Sequence, residues 1–329
     1  MSNFKFEEAI KTFKKVSEIE EMSESQRREY FDNLFNICKS TRSWNPKITA
    51  TQKLIFKLCP LLRHYPFEVR GEDRIPRDGC IILCNHSNEH DAFSIEEALT
   101  KVGLPCTFLA ETYHISPISR KLFEKANATM IDRTDKRSTQ NGMCDLANKI
   151  INSDTGVVFG ESTWNLHPVK PMQNLKIGAA IISAISKKPV VPTIIEYIEQ
   201  PGFISRESKL YKQCIVSFLE PFQVDSSKSI VEQNALLQSR MEQERKTLWK
   251  QNGIKKDTIK DINPELYINH TGLKIFSKLV DLDYNIELAH LFVHDNEVPE
   301  YTYTLNYNGD FVPGEITREL FDRVTQKNL

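Results

Sequence analysis

Between residues 66 and 220 the chain alternates short runs of β-branched and aromatic residues with stretches of helical spacing, and this alternation constrains the fold more than any other feature. The runs are FEVRG, CIILC, CTFLA, ATMID, GVVFG, PVVPTIIEY and QCIVSFLE. The helical stretches fall near 91–102, 116–125, 138–152 and 174–187. Strands separated by helices of that length predict an α/β layer fold, a largely parallel sheet flanked by helices. In such sheets reactive residues collect just beyond the carboxyl ends of the strands.

The flanks read differently. Residues 4–40 carry apolar positions at helical spacing among many charges, and ITATQKLIFKLCPLLRH, 48–64, forms a second helical stretch interrupted by Pro60. The organisation expected is an N-terminal helical pair over 1–65, an α/β domain over 66–224 and a mixed C-terminal extension over 225–329. The extension begins with a strongly charged helical stretch and turns aromatic-rich, with Asn308-Gly309 suited to a hairpin turn. In 48–64, Leu54, Ile55, Leu58, Leu61 and Leu62 make a stripe beside Lys53, Lys57 and Arg63. Two readings stay open: the stripe packs on the main domain, or it lies in a membrane interface with its cations at lipid phosphates.

Charge and cysteine usage narrow the function classes. Of 329 residues, 40% are apolar and 26% charged, with a formal net charge of −1. That composition is globular, and it lacks the cationic surplus that binding a nucleic-acid backbone requires. The seven cysteines, at 38, 59, 80, 84, 106, 144 and 214, are odd in number and form no C-x-x-C pair. No histidine spacing completes a zinc site. Thiols inside runs such as CIILC read as small buried hydrophobes in the reduced state, which points to the cytoplasm. The first residues lack an apolar core of signal-peptide length, and no 18 apolar residues run together. Neither secretion by that route nor a membrane span is expected, while attachment to a membrane surface stays open.

The candidate chemistry sits at the strand ends. After CIILC comes NHSNEHDAF, in which His86 is followed five positions later by Asp91 at the start of a helix. An acid so placed orients an imidazole through one ring nitrogen while the other takes a proton, a general base with its orienting group. The alternatives are Asp91 or Ser87 as a helix cap, and a metal pair of His86 and His90 with Asp91. ATMIDR ends on Arg133, and VVFGESTWN presents Glu161, Ser162 and Thr163; Lys176 and Gly178 open the following helix. The G-E-S of the third stretch raises the possibility of a serine nucleophile. A nucleophile elbow reads G-x-S-x-G, however, and its second glycine is Trp164 here.

Taken in order, these stretches resemble the glycerophospholipid acyltransferase family, whose best-known members acylate lysophosphatidic acid. The family's N-H-x-x-x-x-D block is matched by Asn85, His86 and Asp91. Its G-x-x-F-I-D-R block is matched at Ile131, Asp132 and Arg133, with Asn127 in place of glycine. Its F-P-E-G-T-R block corresponds to Phe159 through Trp164, and a short apolar run with a central proline to Val190, Val191, Pro192 and Thr193. The resemblance implies that His86 takes the proton of an acceptor hydroxyl as it attacks an acyl thioester, and that Asp91 orients His86. It further implies that amides near 160–163 face the developing oxyanion and that Glu161 fixes the loop or the acceptor. Arg133 and Lys176 would bind an anionic headgroup, with Asn85, Ser162 and Thr163 beside them. No tightly bound cofactor and no metal are implied. The donor would be acyl-coenzyme A or acyl carrier protein, and the partners a lipid acceptor and a membrane surface.

Two departures bear on the acceptor. Trp164 stands where the family has a phosphate-binding arginine, and Ser162 where it has glycine. A planar cation has become a ring that stacks or packs. Either Lys170, Lys176 or Arg133 holds the phosphate, or the acceptor is not a glycerol phosphate. The competing readings are a serine hydrolase using Ser162 with His290 or His294, and a lipid-binding protein without turnover.

Overall fold

The computed structural model describes residues 6–41, 44–62, 65–87, 90–111, 117–133, 135–162, 171–199, 211–254, 302–305 and 311–314. The seven expected strands are all present as β1 (Phe67–Arg70), β2 (Cys80–Cys84), β3 (Cys106–Glu111), β4 (Thr129–Ile131), β5 (Thr155–Phe159), β6 (Val190–Glu199) and β7 (Tyr211–Phe218). They form one sheet of order β1-β7-β6-β2-β5-β3-β4. Every neighbouring pair is parallel except β6 with β7. Between the strands lie α5 (Asp91–Lys101), α6 (Pro117–Lys125), α7 (Lys136–Ile151) and α8 (Gly178–Ser186), within a few residues of the stretches read from the sequence. From β2 the chain crosses to β3 and β4, and then returns to insert β5 between β3 and β2. That reversal opens a crevice at the carboxyl ends of β2 and β5, where ligands bind in open α/β sheets.

The central strands read as continuous apolar runs because both faces are covered. Ile81 and Leu83 of β2 point to one core with Val158, Val190, Ile194 and Ile215. Cys80, Ile82 and Cys84 point to the other with Val157, Val191, Ile195 and Val216. This is the two-residue period of a strand, and each such side chain contributes roughly 1.5–3 kcal/mol when fully buried. The six described cysteines are free and buried. Burial pushes the Cys80 thiol up to about 12, which keeps it protonated.

Four helices precede the sheet: α1 (Glu7–Thr12), α2 (Val16–Glu20), α3 (Glu24–Thr41) and α4 (Ala50–Leu62). Phe6, Ala9, Phe31 and Leu34 join the first core, so α1 and α3 cover the face that α7 and α8 also cover. The stretch 4–40, read as the first of a helical pair, holds three helices, and α4 runs through Pro60 without a break. It packs beside α5, where buried Gln52 donates to the Cys106 carbonyl at 2.8 Å. Leu54 and Leu58 of its apolar stripe are exposed, at 56% and 43%.

After the sheet, α9 (Ile230–Gln251) starts at Ser229, whose side chain accepts from the Glu232 amide. Its Leu237, Met241 and Leu248 enter the first core. Farther on, β8 (Thr302–Leu305) pairs antiparallel with β9 (Phe311–Gly314). Asn308 and Gly309 lie outside the described residues.

Candidate active site

β2 delivers the chain into the crevice, and Asn85 fixes the first residue beyond it. Its amide donates to the Ile195 carbonyl at 3.0 Å and accepts from the Ile195 amide at 2.7 Å, pinning the loop to β6. Asn85 is fully buried, and these two bonds make it hold the loop.

The next residue is His86. Its Nδ1 lies 2.8 Å from Asp91 Oδ2, and its ring stacks on Phe159 with centroids 4.2 Å apart. The His86 side chain is 20% exposed and that of Asp91 0%. A neutral ring that donates Nδ1–H to a carboxylate carries its lone pair on Nε2, the tautomer a general base needs. Asp91 opens α5 without capping it: the N-cap position is His90, and no side chain caps the helix there. Instead Asp91 Oδ2 also accepts from the Ser87 amide, which closes the loop around the histidine. Among the described residues no three His, Cys, Asp or Glu side chains gather at metal-binding spacing.

β5 supplies the opposite wall. A Cβ on Gly160 would lie 2.6 Å from both Leu83 and Leu175 side-chain carbons, so only glycine fits where β5 ends. Glu161 is fully buried; Oε1 accepts from the His86 amide at 2.7 Å and Oε2 from the Gln173 amide at 2.5 Å. Burial pushes its carboxyl up to about 8, against the opposing pull of these two amides and the charge of Arg245. Of its two expected roles, Glu161 fills that of fixing the loop. The oxyanion role expected of nearby amides is corrected at two positions. The Gly160 amide donates to the Cys84 carbonyl and the Ser162 amide to the Phe159 carbonyl, so both are engaged in the turn.

Ser162 has φ 60°, and Asn127, at the other position where glycine was expected, has φ 69°. Both departures therefore keep the left-handed backbone that glycine favours, and Asn tolerates it best among the other residues. Ser162 stands in the turn after β5, and residues 163–170 that follow it lie outside the described residues. Its carbonyl accepts from Arg133 Nη1 at 2.6 Å, and Arg133 Nη2 pairs with Glu111 at the end of β3. Lys176 is exposed just before α8, its amide bonded to the Gly160 carbonyl at 2.8 Å. Thr163, Trp164, Lys170, His290 and His294 lie outside the described residues.

His86, Asp91, Glu161, Ser162 and Arg133 thus meet along one sheet edge. Sequence reasoning gave Ser87 only as a helix cap, and it missed Glu111, Glu196 and above all Arg245 of α9. Arg245 occupies the same helical face as Leu237, Met241 and Leu248. A cation inside an apolar stripe was the available signal, hidden by the many exposed charges around it.

The Acyltransferase family model matches residues 66–196, which span β1 through most of β6. No curated protein matches the chain. Among solved structures it is similar to the 1-acyl-sn-glycerophosphate (LPA) acyltransferase PlsC from Thermotoga maritima. The identity is 17% over 68% of this chain and 82% of that one, with a TM-score of 0.43.

Proposed function

We propose that this chain, whose residues 66–196 match the Acyltransferase family model, moves a fatty acyl group from a thioester to a hydroxyl of a lyso-lipid or related acceptor. The donor is acyl-coenzyme A or acyl carrier protein. His86 Nε2 takes the hydroxyl proton as the oxygen attacks the thioester carbonyl. The tetrahedral intermediate collapses, and the departing thiolate leaves as a thiol with the proton returned by the imidazolium. Asp91 holds the ring in the required tautomer and stabilises its charged form. The thioester supplies the driving force, so no tightly bound cofactor takes part. The observation that carries this reading is the His86–Asp91 contact, set on a loop that Asn85 and Glu161 both grip.

The acceptor we favour is not a bare glycerol phosphate. The Arg133 guanidinium is already engaged by Glu111 and the Ser162 carbonyl. A carboxylate at that position repels a phosphate monoester and suits a hydroxyl-rich or amine-bearing headgroup. The enzyme works at the cytoplasmic face of a membrane, reached through α4. Its exposed Leu54 and Leu58 flank Lys53 and Lys57 in the pattern of an interfacial helix.

The test is to incubate the purified protein, and His86→Ala beside it, with palmitoyl-coenzyme A and a total lipid extract. A lipid that gains one acyl chain only in the wild-type reaction supports the reading and identifies the acceptor. Transfer unaffected by His86→Ala removes it.

A further inference from the structure

Arg245 lies on α9, beyond the residues that the family match covers, yet its side chain ends beneath the catalytic loop. It is 6% exposed. Nε donates to Glu196 Oε2 at 2.6 Å, Nη2 to Ser87 Oγ at 3.2 Å, and Nη1 to the Pro171 carbonyl. The guanidinium also lies over the Trp249 ring, 5.4 Å from its centroid.

Two of these partners, Ser87 and Pro171, lead to the reacting ring. The amide of Ser87 donates to Asp91 Oδ2, and its hydroxyl accepts from Asn85 at 3.1 Å. Pro171 precedes by two residues Gln173, whose amide holds Glu161. Glu161 in turn grips the His86 amide. One guanidinium therefore contacts the loop after β2, the segment that closes the turn after β5, and β6. It also brings a positive charge among three buried carboxylates, Glu196, Glu161 and Asp91.

We infer that Arg245 is a positioning residue: it holds the His86 loop and the 171–173 segment in register around Glu161, which makes α9 a working part of a site whose chemistry lies within 66–196. A plain buried ion pair with Glu196 would be replaceable by neutral groups of similar volume. The two further contacts are different, because they need the rigid fork of a guanidinium, which a lysine cannot reproduce. The charge matters as well: it faces the buried carboxyls of Glu196, Glu161 and Asp91, and it opposes the effect of burial on Glu161.

The kinetic part of the test rests on the acyl-transfer reading; the spectroscopic part does not. In steady-state assays with palmitoyl-coenzyme A, Arg245→Met is expected to lower kcat about 10- to 100-fold with the donor KM kept within about twofold, the pattern of a displaced base. Arg245→Met with Glu196→Gln should recover thermal stability without recovering kcat, and Arg245→Lys should recover part of kcat. A double variant whose kcat returns with its stability reduces Arg245 to a structural ion pair. A loss confined to KM makes it a substrate contact. Either result overturns the inference. In the full chain with labelled histidine, the His86 Nδ1 proton resonance should move or broaden in Arg245→Met and in the double variant. An unchanged resonance overturns the inference whatever the turnover. A wild type without His86-dependent transfer, but with a resonance that Arg245→Met displaces, retires the acyl-transfer reading and leaves the positioning role standing.

Discussion

The two edges of the sheet both carry buried polar networks, and they are built to different ends. At the amino edge, Lys149 donates to Thr129 Oγ1 at 2.9 Å, pairs with Asp145 at 2.9 Å, and lies over the Trp44 ring. Asp154 accepts from Trp44 Nε1 at 2.8 Å and from Thr107 Oγ1 at 2.9 Å, while Asn127 reaches the same hydroxyl. Cations, carboxylates and hydroxyls close on one another there, tying the α3–α4 linker and α7 to the sheet. At the carboxyl edge Arg245 likewise closes on Glu196 and the Ser87 hydroxyl, but Glu161 and Asp91 close on backbone amides and an imidazole, and the imidazole is left partly open to solvent. Buried polarity does not by itself mark a site. What distinguishes the second network is a titratable ring held rigidly by buried groups yet reachable from outside.

The sharpest way to break this comparison is His86→Ala. The contact with Glu161 is made by the His86 backbone amide, which alanine keeps, so the loop should hold its shape. Transfer should fall about 10²- to 10⁴-fold, the range a general base supplies, with the melting temperature nearly unchanged. Comparable activity in the variant would mean that the carboxyl edge is as purely structural as the amino edge.

The converse experiment is Lys149→Met. It leaves Asp145 buried without its cation and should cost about 3 kcal/mol in denaturant unfolding. With the proposed chemistry at the other edge, kcat per folded molecule should not change. A fall in kcat at full folding would show that the two edges are coupled.

How far each edge could be read from the chain follows from the same contrast. The strands and the helices between them were legible because β-branched runs and helical spacing are local signals, and the sheet is covered on both faces. His86 and Asp91 were legible because they are five residues apart in one loop. The grip of Asn85 on the loop was not legible, because its amide pins Ile195, a partner 110 residues away that no local pattern reveals. Arg245 was hidden for the same reason: its contacts to Ser87 and Glu196 cross 158 and 49 residues. The sense of Asn127 and Ser162 emerged only from their backbone angles, since a positive φ leaves no trace in side-chain chemistry.

Between the edges, on α5, sits a buried acid that belongs to neither network. Glu96 is 4% exposed, its Oε1 has no hydrogen-bond partner among the described residues, and burial pushes its carboxyl up to about 7. A carboxyl raised in the folded state favours folding fully at low pH. The unfolded chain loses this proton near 4.5 while the native chain keeps it, so stability should decline as pH rises from about 4.5 to 7, by up to about 3 kcal/mol, and then level off. Glu96→Gln should reduce that slope in denaturant titrations at several pH values, leaving the part that Glu161 contributes, since its carboxyl is also raised. A slope unchanged in the variant would assign all of it to the carboxyl edge.

The smallest effect concerns the turn where the two readings of this chain first diverge. Ser162 holds a φ of 60°, so its side chain strains a backbone that glycine adopts freely. Relief of roughly 1–2 kcal/mol, less the added freedom of glycine in the unfolded chain, should leave Ser162→Gly more stable by about 0.5–1 kcal/mol. The Arg133 contact is to the Ser162 carbonyl, which glycine retains, so the link from β4 to the β5 turn survives the change. Acyl transfer should then stay within about threefold of wild type, because in the proposed reaction His86 accepts the proton and the hydroxyl of Ser162 takes no part. Loss of turnover in a more stable Ser162→Gly protein would instead make that hydroxyl the reacting group, and the wall facing His86 would become the nucleophile's own turn.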